Sequence, residues 1–113
     1  MTRTKQRRQR QLKEFELYVP LLSASRVGGA KLNLSRLKKL LVAHFGGVTH
    51  FPQKSKGVWR IGQVEFHDDI VILRVLSEDS KKVRQFWGRL KIRLQQDWDQ
   101  QQILVVARAV QTI

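Results

Sequence analysis

The sequence predicts an α+β domain in which a four-stranded antiparallel sheet carries two helices on one face. Three observations carry this expectation. Apolar and polar residues alternate at period two in residues 15–19, and a mostly apolar β-type run closes the chain at 103–110. Apolar residues recur at helical spacing in residues 34–45 and again in 83–98. Between the helical stretches lie short β-type runs and turn residues, with Gly62-Gln63 placed as the turn of a hairpin.

Taken in order, residues 1–13 carry Arg3, Lys5, Arg7, Arg8, Arg10 and Lys13 and no acid. Leu12 is their only large apolar side chain after the initiator, so burial cannot offset the entropy of ordering. The segment reads as a flexible basic arm, and residues 14–113 as the folded domain. In residues 15–19, Phe15, Leu17 and Val19 fall on one side of a strand and Glu16 and Tyr18 on the other, with Pro20 ending it. Either set could face the open side of a sheet. Residues 21–31, with Ser23, Ser25, Gly28 and Gly29, read as a loop. Gly28-Gly29 lacks the longer glycine pattern and the Lys-Ser/Thr of a phosphate loop. Asn33 is placed to cap a helix, Leu32 and Leu37 to staple its start, and Gly46-Gly47 to stop it. Arg36, Lys38 and Lys39 sit where they oppose the helix dipole, a hint that their charge serves something other than the fold.

Residues 48–51 form a short strand, followed by Pro52 and a basic loop at 53–56. Residues 58–61 and 64–67 bracket a type II′ turn, and Asp68-Asp69 interrupts the second arm. Residues 70–76 are the most apolar strand and therefore central. Ser77, Glu78, Asp79 and Ser80 open the second helix with a cap and two acids favourable to its dipole. Val83, Phe86, Trp87, Leu90, Leu94 and Trp98 form its apolar stripe. Lys82, Arg89 and Arg93 make a basic ridge on one flank, and Arg84 and Lys91 lie on the other. The last strand, 103–110, is apolar on both faces except at Arg108. The order is βαββαβ, the ferredoxin-like arrangement. Its open sheet face must be covered or used, and apolar residues on both faces predict a homodimer through that open face.

Composition narrows the function classes. Twenty-two basic residues against nine acidic ones give +13, of which the arm contributes +6 and the domain +7. A field of that sign attracts polyanions. The absence of cysteine excludes disulfides, thiol nucleophiles and cysteine zinc sites. No apolar run approaches the roughly 20 residues of a membrane helix. No secretory signal is evident either, because residues 15–22 contain Glu16 and Pro20. A cytoplasmic protein without a membrane partner is expected.

Phe45-Gly46-Gly47-Val48-Thr49, then Pro52, Gly57-Val58-Trp59 and Asp68 or Asp69 before a β-rich run, form a recurring kind of pattern. It resembles that of small uncharacterised bacterial proteins with a ferredoxin-like layout, over residues 15–113 and without the arm. The resemblance implies the fold and carries no catalytic assignment.

The stretch 44–69 holds all three histidines and four of the seven glycines. His50, His67 and Asp69 are the candidates for acid/base chemistry, yet no HxH, HExxH or DxD spacing is present. His67 and Asp69 alone of the His67-Asp68-Asp69 run would share a strand face. Trp59 could stack a base or cover the core. The main expectation is a non-catalytic domain that binds DNA or RNA through phosphates, largely without sequence preference, and needs no cofactor or metal. The phosphate-binding candidates are Arg3, Lys5, Arg7, Arg8, Arg10, Lys38, Lys39, Lys54, Lys56, Arg60, Lys82, Arg89 and Arg93. Two alternatives stay open: a small metal-dependent nuclease or His-based ribonuclease, and a basic interaction subunit of a larger protein or ribonucleoprotein assembly.

Overall fold

Four strands form one antiparallel sheet, accompanied by three helices, in a computed structural model that describes residues 12–53, 59–66 and 69–113. Strand β1 (Leu12–Pro20) leads into helix α1 (Leu21–Arg26), then α2 (Leu34–Phe45) and β2 (Thr49–Gln53). A small ribbon of β3 (Trp59–Ile61) and β4 (Val64–Phe66) precedes β5 (Ile70–Glu78), α3 (Lys81–Asp97) and β6 (Leu104–Val110). The sheet runs β2-β5-β1-β6 and every neighbouring pair is antiparallel, while among the described residues β3 and β4 pair only with each other. The apolar β5 is central, as its composition predicts.

The helix caps follow the sequence. The Asn33 side chain accepts the Arg36 N–H at 2.9 Å, and the Ser80 hydroxyl accepts the Val83 N–H at 3.2 Å. Gly46 ends α2 at φ 88°, a left-handed conformation that costs glycine nothing, and donates its N–H to the Val42 carbonyl. Gly62 has φ 62° and Gln63 is not left-handed, which is the pattern of a type II′ turn.

Four expectations about element bounds are corrected. β1 begins at Leu12, so Leu12 and Lys13 belong to the sheet, opposite Glu78 and Ser77, and not to the arm; residues 1–11 lie outside the described residues. Residues 21–26 are helical rather than looped, because Ala24 is fully buried against the core and Pro20 enters the helix from an extended conformation. β2 runs through Pro52, which is tolerated because β2 lies at the sheet edge, where a missing N–H need not break a ladder. β5 runs through Glu78, so the acids expected at the start of the second helix lie ahead of it and its first turn has none. Asp79 instead takes both guanidinium bonds of Arg84, at 2.8 and 2.9 Å.

The core lies between the sheet and the helices. Phe15, Leu17 and Val19 from β1 and Val71, Leu73 and Val75 from β5 meet Ala24, Leu37, Leu41, Trp87, Leu90, Leu94 and Trp98 in one buried cluster. All three helices therefore contribute to the same side of the sheet. Each fully buried leucine contributes about 2 kcal/mol through area removed from water. Trp87 lies between Phe15 and Phe45, with ring centroids 5.6 and 5.5 Å away.

Period two sends the alternate residues to the other face, so Glu16 and Tyr18, not the Phe15 set, occupy the open side. The register puts Glu16 opposite Arg74 and Val106, and Glu14 opposite Leu76 and Arg108. Of the two sets that could face the open side, the Glu16 and Tyr18 set does so, and the apolar character expected of both faces is interrupted there by two acids and two arginines.

Candidate functional site

Burial of one stripe of α3 leaves Lys81, Lys82, Arg84, Arg89 and Arg93 exposed, and burial of Leu37 and Leu41 leaves Arg36 and Lys39 of α2 exposed. Contacts fix how the two helices adjoin. The His44 ring stacks on Phe86 at 3.9 Å with 12° between planes. Asp97 Oδ2 accepts the Leu32 N–H at 2.8 Å and a bond from Arg93 Nε at 3.3 Å, while Arg93 Nη2 donates to the Ala30 carbonyl at 3.0 Å. Trp98 Nε1 donates to the Leu32 carbonyl at 2.7 Å, so both backbone groups of Leu32 are held by the end of α3. Phe86, Arg93 and Asp97 thus mark the flank of α3 turned towards α2 and the segment before it. Lys82 and Arg89, four residues before Phe86 and three after, lie on that same flank. Beside the start of α2, an open groove of about 500 Å³ is lined by Ser25, Asn33, Leu34, Ser35, Lys38 and Lys39.

Five carboxylates are engaged by other arginines. Glu65 pairs with Arg60 at 2.6 Å, Asp79 with Arg84, Asp97 with Arg93, and Glu14 and Glu16 with Arg74 and Arg108. Among the described residues Lys39, Lys81, Lys82 and Arg89 make no ion pair, and all four are exposed. The Arg36 guanidinium donates to the carbonyls of Gly29 and Lys31 and closes the loop ahead of α2.

The candidates named from sequence divide accordingly. Lys39, Lys82, Arg89 and Arg93 share the helix layer, although Arg93 is tied to Asp97. Lys38 lies 2.9 Å from His50 Nδ1. Arg60 is on the β3–β4 ribbon with Glu65. Arg3, Lys5, Arg7, Arg8, Arg10, Lys54, Lys56 and His67 lie outside the described residues, as does the side chain of Trp59.

Of the acid/base candidates, His50 and Asp69 are not brought together. His50 stands opposite Leu73 while Asp69 precedes Ile70 at the other end of the β2–β5 pairing, a separation along the strands of about 13 Å. Burial lowers the His50 pKa and the Lys38 charge lowers it further, which favours neutral imidazole. A cation at that distance also opposes metal binding. Among the described residues no three His, Asp or Glu side chains cluster as metal ligands.

One polar constellation was not anticipated. Glu16 is 3% exposed, and its carboxylate accepts bonds from Arg74 Nε and Nη2 at 2.9 and 2.5 Å, from Arg108 Nη2 at 2.9 Å and from the Tyr18 hydroxyl at 3.3 Å. Arg108 also reaches Glu14 at 2.8 Å, and Arg74 lies over the Phe51 ring at 4.5 Å. Burial raises the Glu16 pKa, but the bonds and charges of Arg108 and Arg74 outweigh it and hold the carboxyl below its usual range. Burial, with the neighbouring Glu16 charge, pushes the Tyr18 phenol up. The sequence signal for this group is a lone arginine in each of two apolar strands and an acid alternating with the core residues of a third.

Comparison of the chain with protein-family models, with curated proteins and with solved structures found no match.

Proposed function

We propose that this chain is a small basic domain that binds DNA or RNA through phosphates, largely without sequence preference and without catalysis. The observation that supports this reading is the helix layer itself. Lys39, Lys81, Lys82 and Arg89 stand exposed there without ion pairs among the described residues, while Glu14, Glu16, Glu65, Asp79 and Asp97 are spent on other arginines. Binding of that kind releases condensed counterions, so affinity falls steeply with salt. The cations of the arm and of residues 54 and 56 would add to it. The separation of His50 from Asp69 favours binding over hydrolysis.

The fold reading that goes with this is ferredoxin-like. Numbered along the chain, the four long strands take the order 2-3-1-4, with the β3–β4 ribbon inserted into the hairpin formed by β2 and β5. The resemblance to small bacterial proteins of that layout points the same way. We read the protein as a cytoplasmic homodimer.

The test is a titration of duplex DNA, single-stranded DNA and RNA with the full chain over a salt series, with Mg²⁺ present and absent. Affinity that falls with salt and intact nucleic acid are expected. A flat salt response, or cleavage lost in His67→Ala, overturns the reading.

A further inference from the structure

We propose that β6 is an interface at which a second copy of this chain adds its own β6 in antiparallel fashion, joining two four-stranded sheets into one of eight strands. This rests on the reading of the chain as a homodimer and replaces the open face with the sheet edge as its contact.

Among the described residues β1 is the only strand beside β6. Among the described residues the other edge of β6 therefore has no strand to take its backbone N–H and C=O groups along Leu104–Val110. Edge strands that stay single are blunted by proline, by lysine, by a bulge or by a covering element. β6 has neither proline nor lysine, and its register with β1 runs unbroken from Leu12 opposite Val110 to Tyr18 opposite Leu104. The opposite edge is different: β2 contains Pro52, and Lys38 stands beside its His50.

Charge decides the occupant. Two copies of a chain at +13 repel each other on most approaches. At β6 the only charged residue is Arg108, and it is held by Glu14 and Glu16, which also hold Arg74. Among the described residues these two acids and two arginines balance one another on the open face beside β6, where Lys13 on the other face is the nearest remaining cation of β1. A second copy can approach there at little electrostatic cost, and an acidic peptide gains nothing from it. Antiparallel strands in one sheet are related by a two-fold axis normal to the sheet, so the contact is isologous and closes at two copies. The same axis keeps both helix layers on one side, as a single basic surface.

The full chain, free of nucleic acid, is to be weighed by sedimentation equilibrium over a concentration series at moderate salt. A mass twice 13.2 kDa is expected. Ala107 and Ala109 are exposed on β6, and the variant carrying Ala107→Lys and Ala109→Lys places like charges across the two-fold and should be monomeric with unchanged far-UV circular dichroism. Leu76→Lys, on the open face, should remain dimeric. Hydrogen exchange of the unmodified chain gives a second readout: the β6 amides should gain protection as concentration rises.

A monomer at every concentration overturns both the edge contact and the dimer reading. A dimer that survives the double lysine variant but dissociates with Leu76→Lys overturns the edge alone and assigns the open face. Concentration-independent exchange in β6 overturns the edge even if the double variant fails to fold. None of these results touches the nucleic-acid reading, which the salt titration decides.

Discussion

Glu16 and Arg74 stand directly opposite each other on β1 and β5 and meet through two N–H···O bonds, although they are 58 residues apart and Glu16 is 3% exposed. Arg108 completes the arrangement from the other side of β1. Removing one partner of a buried pair strands the remaining charges, at a typical cost of 3–5 kcal/mol. Here the arginine side chains are 35% and 47% exposed, so water takes up part of the loss. Glu16→Ala should cost about 2 kcal/mol by urea denaturation. Glu16→Gln should cost less, because an amide oxygen still accepts one guanidinium bond.

The same group sets a pH dependence. The folded pKa of Glu16 lies below its ordinary value, so the stabilisation is complete above the unfolded value of about 4.3 and is lost as pH falls through the folded one. Urea midpoints measured from neutral pH downward should hold steady and then fall below about pH 4.3. Glu16→Gln should make that descent shallower.

Two tryptophans on one helix should respond differently to loss of the indole N–H. Trp98 Nε1 donates to the Leu32 carbonyl, whereas Trp87 Nε1 is buried and makes no hydrogen bond among the described residues. Trp98→Phe removes a made bond and leaves a buried carbonyl short of a partner, costing about 1–3 kcal/mol beyond the change in packing. Trp87→Phe removes a donor that bonds to nothing, so only lost packing counts against it. Thermal unfolding of the two variants should rank Trp98→Phe as the more destabilised.

For nucleic acid, the helix layer predicts a change in salt slope rather than in specificity. Each lost phosphate contact reduces the slope of log K against log salt by about 0.9 on duplex DNA. Lys82→Ala with Arg89→Ala should therefore reduce it by about 1.8 for any duplex sequence. Arg108→Ala should leave the slope unchanged, since that arginine is committed to Glu14 and Glu16. Titrations by fluorescence anisotropy at several salt concentrations separate the two.

Helix caps offer a last comparison. Asn33→Ala leaves the Arg36 N–H without its acceptor, and Ser80→Ala does the same to Val83. Each should cost about 1 kcal/mol, read from shifts in the urea midpoint at constant slope.

Local chemistry explains which parts of the fold could be read from the chain. Asn33, Gly46 and Gly62 act on their immediate neighbours, and each does what its residue type dictates. The apolar stripe of α3 is likewise a property of one segment. Helix α1 escaped because six residues are too few to hold a helix on their own, whatever their preference; burial of Ala24 decides them. The partners of Glu16 escaped for a related reason: opposing registers, not spacing along the chain, bring Arg74 and Arg108 to it. His50 and Asp69 illustrate the converse, for nearness in sequence put them in one candidate site and the β2–β5 pairing holds them at opposite ends.

The sheet order also governs how the chain can assemble as it is made. β1 is synthesised first, yet its two hydrogen-bonding neighbours are β5 and β6, the last strands to appear. Until Glu78 has emerged, β1 has neither flank paired, and the acids at Glu14 and Glu16 meet no arginine from the sheet. The N-terminal half alone therefore cannot form the core layer of Phe15, Leu17 and Val19 against Leu73. Pairing of β1 must wait for distant chain, which makes folding slow relative to a sheet of successive hairpins and leaves an apolar strand open to a chaperone on the ribosome.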